Sequence, residues 1–170
     1  QRYDAAGSRL GNEFQVHSYT TGAQGFPSVN TSPAGGFVAA WRSDHVSGIE
    51  VLARRFDAFG NPVGNDFVVN TYTTGLQYGA FGQVAHDARG NFVVTYSSRG
   101  DGSQYGVFVQ RFSASGVRRG AELRVNTYTT DGQSASSVAS DSVGNFVVAW
   151  DSGHDGSDYG VFAQRFGGLA

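Results

Sequence analysis

Two stretches concentrate the side chains that could do chemistry. Asp151-Ser-Gly-His154-Asp155-Gly-Ser-Asp158-Tyr159 is the denser, and Arg99-Gly-Asp101-Gly-Ser-Gln104-Tyr105 stands one repeat before it, with Tyr78 in the connection that precedes that repeat. Planar rings beside carboxylates and amides suit sugar recognition. A ring covers the apolar face of a pyranose while its polar edge stays wet, and the acids accept hydroxyl protons. Tyr78, Arg99, Asp101, Gln104, Tyr105, Asp151, His154, Asp155, Asp158 and Tyr159 are therefore the candidate ligand-binding residues. Asp151, Asp155 and Asp158 also have the spacing and the glycine of a calcium loop, because a hard cation wants several oxygens converging from one tight turn. The middle carboxylate and the distal glutamate of an EF-hand are missing, so calcium is only a weak candidate and no other cofactor is expected.

Other chemistries find no footing. The chain has no cysteine and no methionine, and its 12 basic residues are all arginine. A thiol nucleophile, a lysine Schiff base and a disulfide framework are thereby excluded. His17, His45, His86 and His154 have no partner at metal-site spacing. No Gly-x-Ser-x-Gly elbow occurs, and paired glycosidase carboxylates cannot be assigned from loops alone. With a net charge of -2 there is no basic footprint for nucleic acid. No run of about 18 apolar residues is present to cross a membrane as a helix. The expectation on these grounds is a chain that is not an enzyme by its own residues.

What must position these loops is a repeat. Phe67-Val-Val-Asn-Thr-Tyr-Thr-Thr74 returns as Leu123-Arg-Val-Asn-Thr-Tyr-Thr-Thr130 and, drifted, as Phe14-Gln-Val-His-Ser-Tyr-Thr-Thr21. Gly36-Phe-Val-Ala-Ala-Trp41 returns as Asn91-Phe-Val-Val-Thr-Tyr96 and Asn145-Phe-Val-Val-Ala-Trp150. Val51-Leu-Ala-Arg-Arg-Phe56, Val107-Phe-Val-Gln-Arg-Phe112 and Val161-Phe-Ala-Gln-Arg-Phe166 form a third set, with a stub at Gln1-Arg-Tyr3. The period of about 55 residues marks a repeat architecture. β-Branched and aromatic runs broken by Gly and Asn predict strands A to D in each unit, an all-β antiparallel meander. The units are read as partial C and D strands over 1–21, full units over 22–74 and 75–130, and A, B and C strands over 131–170.

Alternation puts apolar groups on both faces of strands B and C, so each sheet should be covered on both sides. Four-stranded sheets stacked face to face are propeller-like blades; a β-trefoil or β-prism, with one wetter face per sheet, is the alternative three-fold fold. The segment Val138-Ala-Ser-Asp-Ser-Val-Gly-Asn-Phe146 with Gln164-Arg-Phe166 resembles the blade of NHL-type propellers. It is similar also to tandem repeats of large secreted bacterial proteins. That resemblance implies propeller blades and a secreted, extracellular or surface-displayed setting, and no particular reaction. Unit one departs from it, with Ser32 in place of Asp87 and Asp141 and Gly36 in place of the asparagine, so its first hairpin is expected to be looser.

In such a meander the B–C and D–A connections share one rim, where the candidate residues fall together with Asp44, Glu50 and Asp131. Arg2, Arg55, Arg111 and Arg165 occur in phase, as do Glu13, Asp66 and Glu122, and are read as repeat-to-repeat bonds. Tyr19, Tyr72 and Tyr128 are read as packing between blades. Arg9, Arg118 and Arg119 give the opposite rim a basic lean. Bare end sheets predict self-association into a homo-oligomer or filament. The function expected is a non-enzymatic extracellular binding or assembly module for adhesion, with carbohydrate as the small partner. The alternatives are purely structural blades of a larger propeller or fibre, and a glycan-active enzyme domain.

Overall fold

The computed structural model describes residues 1–45, 48–72, 83–99, 104–154, 156 and 158–168. Its described strands form three antiparallel sheets in chain order. β1 (Gln24–Thr31), β2 (Phe37–His45), β3 (Gly48–Phe56) and β4 (Phe67–Val68) make the first. β5 (Gln83–His86), β6 (Phe92–Ser98), β7 (Gly106–Phe112) and β8 (Leu123–Arg124) make the second. β9 (Gln133–Ser140), β10 (Phe146–Ser152) and β11 (Gly160–Phe166) make the third. No helix occurs among the described residues. Strand A starts at Gln24 and Gln133 in the first and third sheets, ahead of the Ser28–Thr31 and Ser137–Ser140 runs that the sequence predicts. Both extensions pass a register shift against strand B, between Gly25 and Ser28 and opposite Ala149 and Asp151.

The tight turns have one local cause. In Asp57-Ala-Phe-Gly60-Asn61 the Asp57 carboxylate accepts the N–H groups of Phe59 and Asn61 at 2.9 and 2.8 Å, and its second oxygen takes the Asn61 amide at 2.9 Å. Asp87 does the same for Arg89 and Asn91, and Asp141 for Val143 and Asn145. Gly60, Gly90 and Gly144 carry the positive φ (85°, 81° and 90°) that closes each turn. The side-chain bond from the asparagine, with the backbone donors behind it, holds the Asp57 and Asp141 carboxyls below the usual range. The first hairpin keeps the backbone bonds of this turn through Ser32 and Gly36 (2.7 and 2.9 Å) without a carboxylate at its centre.

Strand D spans two residues in the first and second sheets, shorter than the Phe67–Asn70 run that the sequence predicts, because side chains replace part of its ladder. Asn70 Oδ1 accepts the N–H of Val51 at 2.9 Å, and Asn126 Oδ1 accepts that of Val107 at 2.8 Å. Each amide then donates to the carbonyl of the tyrosine two residues on, Tyr72 or Tyr128. The in-phase asparagines are thus pins that hold the outer strand where regular pairing stops.

The three sheets stack face to face with a fixed polarity. Strand B turns Phe92, Val94 and Tyr96 toward the preceding sheet and Val93 toward the following one, and every residue of β6 is buried. The rings pair across strands B and C in register: Phe37 on Phe56 (4.7 Å), Phe92 on Phe112 (4.9 Å) and Phe146 on Phe166 (5.0 Å), all stacked. An aromatic face therefore packs on the aliphatic face of the sheet before it, and the last such contact puts Phe146, Val148 and Trp150 over Val93, Val107 and Val109. Full burial of one such valine is worth about 1.5–3 kcal/mol. Strands β1, β5 and β9 contact one another in succession, so the sheets fan out from their first strands. These are β-propeller blades. A middle sheet with both faces buried is what separates them from the three-fold alternative.

Residues ahead of β1 lie as an incomplete preceding blade. Phe14 and Val16 pack on Trp41, Leu52 and Phe56 of the first sheet. The in-phase polar residues bridge blade to blade. Arg2 donates to the carbonyls of Ala58 and Phe59, Arg55 to that of Ala114 at 3.2 Å, and Arg111 to that of Gly168 at 3.1 Å. Arg118, expected on an open basic rim, instead reaches the Val68 carbonyl of the preceding blade at 2.7 Å.

Candidate functional site

On the rim where strands B–C and D–A connect, backbone bonds tie the loops together. The N–H of Gln133 donates to the Tyr105 carbonyl at 2.7 Å, and that of Asp44 to the Ala23 carbonyl at 2.8 Å. The Arg99 guanidinium lies over the Tyr105 ring, 4.7 Å from its centre. Gln104 is exposed, its amide oxygen 3.6 Å from where a Cβ on Gly132 would stand. Arg99, Gln104 and Tyr105 are thereby gathered beside the turn of Asp131, whose φ of 63° is unusual for a residue with a side chain.

One blade further on, three rings stack in a column. The His154 ring lies 4.2 Å from that of Tyr128 and 4.1 Å from that of Phe162, near-parallel to both. Two rings cannot share one face of an imidazole, so His154 is the filling of a sandwich. Its Nδ1 is 2.6 Å from the hydroxyl of the buried Ser152. Tyr128 is 37% exposed, so the column presents a ring to solvent. Gly153 sits between the Asp131 side chain and the Asp158 backbone, 3.8 and 3.7 Å from a Cβ placed on it, which brings both acids to this loop.

Behind the column lies a buried amide network. Gln133 accepts from Asn126 at 3.0 Å and donates to the carbonyls of Thr130 and Asp131. Its counterpart Gln24 instead accepts from the Trp41 indole at 3.0 Å. The difference follows from position 17, where histidine stands in place of asparagine: no Asn amide competes for Gln24. In the third sheet Asn126 takes the glutamine, and the buried Trp150 indole N–H is left without a partner.

Of the residues expected here, His154 enters the ring column, Asp158 joins its loop, and Arg99, Gln104 and Tyr105 cluster beside it. Tyr159 is exposed. Asp151 is not a loop residue: it lies half-buried within β10, in register with Val161 and Ser134. Glu50, expected on the rim, is buried within β3. Tyr78, Asp101 and Asp155 lie outside the described residues, and no group of three or more His, Asp or Glu converges for a metal among those described. Sequence reasoning missed Tyr128, Phe162 and Ser152 as members of one cluster. Tyr128 is in phase with Tyr19 and Tyr72, which reads as scaffold; what sets it apart is the His154 ring stacked against it.

No protein-family model matches the chain, and neither does any curated protein. Solved structures do match in fold. An endo-arabinase from Bacteroides thetaiotaomicron is similar at 11% identity and a TM-score of 0.54, over 89% of this chain and 59% of that one. A protein of unknown function from Dyadobacter fermentans gives 14% and 0.55, over 82% and 36%. An α-L-arabinofuranosidase from Lactobacillus brevis gives 10% and 0.51, over 98% and 66%. The chain spans about three fifths of the endo-arabinase and about a third of the Dyadobacter protein. The likeness supports the propeller and not NHL repeats in particular. It also corrects the expectation of a chain that is not an enzyme. Two of these three neighbours are enzymes, so a missing nucleophile motif in a fold of this kind is no ground for that exclusion.

Proposed function

We propose that the chain forms part of a glycan-active β-propeller, and that the rim built by the β6–β7, β8–β9 and β10–β11 connections contacts the sugar. The observation that carries this reading is the column of Tyr128, His154 and Phe162, with Asp131 and Asp158 at the same loop. The open face of Tyr128 covers the apolar face of a sugar ring, held rigid from behind by His154. Arg99 and Gln104 supply donors to the sugar hydroxyls. Glycoside hydrolysis needs two carboxyl groups, one giving a proton to the leaving oxygen and one activating water or attacking directly; Asp131 and Asp158 are the pair assigned to it. The fold shared with an endo-arabinase and an α-L-arabinofuranosidase makes arabinose-containing glycans the first substrates to try. The secreted setting that the resemblance to tandem repeats of secreted bacterial proteins implies suits a polymeric substrate.

A glycan array and a reducing-sugar assay on arabinan, with and without calcium, test the reading. Tyr128→Ala should weaken glycan binding several-fold, in keeping with the roughly 0.5–1.5 kcal/mol of one stacked ring. Asp131→Asn and Asp158→Asn should abolish turnover while binding persists. Binding without turnover in the unaltered chain would favour an adhesive module instead. Neither binding nor turnover with any glycan would overturn both readings.

A further inference from the structure

We propose that the site takes an oligosaccharide rather than a single sugar. One unit stacks on Tyr128, and the adjoining unit accepts a hydrogen bond from the Nε2–H of His154, a ring that Ser152 fixes in that tautomer. The inference rests on the glycan reading above and deepens it, giving His154 a contact of its own besides the backing of Tyr128.

Ser152 decides which ring nitrogen carries the hydrogen. Its hydroxyl oxygen stands 2.6 Å from Nδ1 of His154. A C–H edge of the ring would keep that oxygen at about 3.3 Å or more, so the atom there is nitrogen. The distance is short for an N–H donor and suits an O–H donor. Ser152 is wholly buried, and among the described residues its hydroxyl has no other partner. A hydrogen on Nδ1 would strand the Ser152 proton in the interior without an acceptor, which buried hydroxyls avoid. The hydroxyl therefore donates, Nδ1 accepts, and the neutral ring carries its hydrogen on Nε2.

The column decides what that N–H can reach. Tyr128 covers one face of the imidazole and Phe162 the other, at 4.2 and 4.1 Å, and the Nδ1 corner meets the buried hydroxyl. The edge left over on this half-buried residue is the one that holds Nε2, which has no hydrogen-bond partner among the described residues. A sugar stacked on the open face of Tyr128 lies one ring further out, roughly 8 Å from the imidazole and beyond hydrogen-bond reach. The oxygen that accepts from Nε2–H thus belongs to the next unit of the same glycan, which crosses the edge of the column. Nε2–H can only donate, so it selects a unit that turns a lone pair toward it.

NMR on the whole chain tests both halves. Long-range 1H–15N spectra at alkaline pH should show His154 as the Nε2–H tautomer, in a signal that His154→Phe removes; this holds with no sugar present. Titrations then compare arabinose with arabinotriose, or the mono- and trisaccharide of any other glycan that the array selects. His154→Phe is made together with Ser152→Ala, so that the ring column stays and no buried hydroxyl is orphaned. This pair should weaken the trisaccharide roughly threefold to tenfold, the worth of one hydrogen bond, and leave the monosaccharide unchanged. Tyr128→Ala should weaken both sugars. An Nδ1–H tautomer would overturn the proposal, and so would equal losses for the two sugars or no loss for either in the double variant. In those cases a loss of binding in Tyr128→Ala would still uphold the glycan reading. A chain that binds no glycan at all would overturn that reading, and this role with it.

Discussion

Thr71 gives both its backbone N–H and its hydroxyl to one oxygen of Glu122, at 2.7 and 3.0 Å, across the boundary between the first and second blades. Ser18 does the same to Asp66 one blade earlier, at 2.7 and 2.8 Å. The same Glu122 oxygen also accepts the hydroxyl of Tyr96, a residue wholly buried at that boundary. Burial first, and then the Glu122 charge, push the Tyr96 phenol well above its usual range, so it stays a neutral donor. Glu122→Ala would leave the buried Tyr96 hydroxyl without its charged acceptor, while the donors of exposed Thr71 can turn to water. A loss of about 2–3 kcal/mol in urea unfolding is expected, with a smaller loss for Glu122→Gln, whose amide oxygen can still accept. Equal stability of Glu122→Ala and the unaltered chain would show that the bridge between blades is decoration.

The first hairpin offers a test that runs against the repeat's own pattern. The other A–B hairpins have asparagine at the place of Gly36, so a repair by consensus would put Asn there. A Cβ on Gly36 would stand 2.7 Å from the Phe56 carbonyl oxygen, closer than such atoms approach. Backbone must shift to accept it. Gly36→Asn is therefore expected to lower the melting temperature, whereas Ser32→Asp, which supplies the turn's missing carboxylate, should leave it unchanged or raise it. A stabilising Gly36→Asn would mean the strand pair has more slack than its register implies.

Much of this fold was legible in the letters, for a definite reason. The in-phase Phe pairs, the Asp-x-x-Gly-Asn turns and the Arg rungs recur because each blade boundary poses the same packing problem, so three copies vote on each position. The site was read less well because it arises where the copies differ. Tyr128 looked like scaffold beside Tyr19 and Tyr72 until His154 was seen against it. Asp151 looked like a loop acid because β10 continues past Trp150, as β6 does past Tyr96, beyond the repeat's apolar core. Strand D ended early because an asparagine side chain, chemically able to pair as backbone does, took over the ladder.

His86 places a proton switch between the first two blades. Its Nδ1 is 2.8 Å from the Asn30 amide oxygen, so the neutral ring donates there. Burial drives its pKa down to about 4 against the opposing pull of the Asp87 charge. Unfolded, the ring titrates near 6.5. Between these values the unfolded chain binds more protons than the folded one, so stability rises with pH there. It should be fully present above pH 6.5 and fall as pH drops toward 4. Thermal melts at pH 7, 6 and 5 should show this slope in the unaltered chain and a shallower one in His86→Gln, which keeps a donor to Asn30 without the titration. Parallel slopes would assign the acid sensitivity to other groups.

Trp41 and Trp150 share one place in the repeat and one orientation toward the preceding blade, yet only Trp41 has its indole N–H satisfied by its own sheet's glutamine. Trp41→Phe removes a hydrogen bond and leaves the Gln24 oxygen unpaired as well. Trp150→Phe removes a buried donor that had no partner, and with it a desolvation cost already present in the folded chain. The two substitutions delete the same ring area, so their difference isolates the polar part. Trp41→Phe is expected to destabilise by about 1 kcal/mol more than Trp150→Phe. Restoring the asparagine of the repeat with His17→Asn should narrow that gap, since its amide would draw Gln24 away from Trp41 as Asn126 draws Gln133. Differential scanning calorimetry on Trp41→Phe and Trp150→Phe, each with and without His17→Asn, decides it: a gap that survives His17→Asn would rule out competition for the glutamine as its cause.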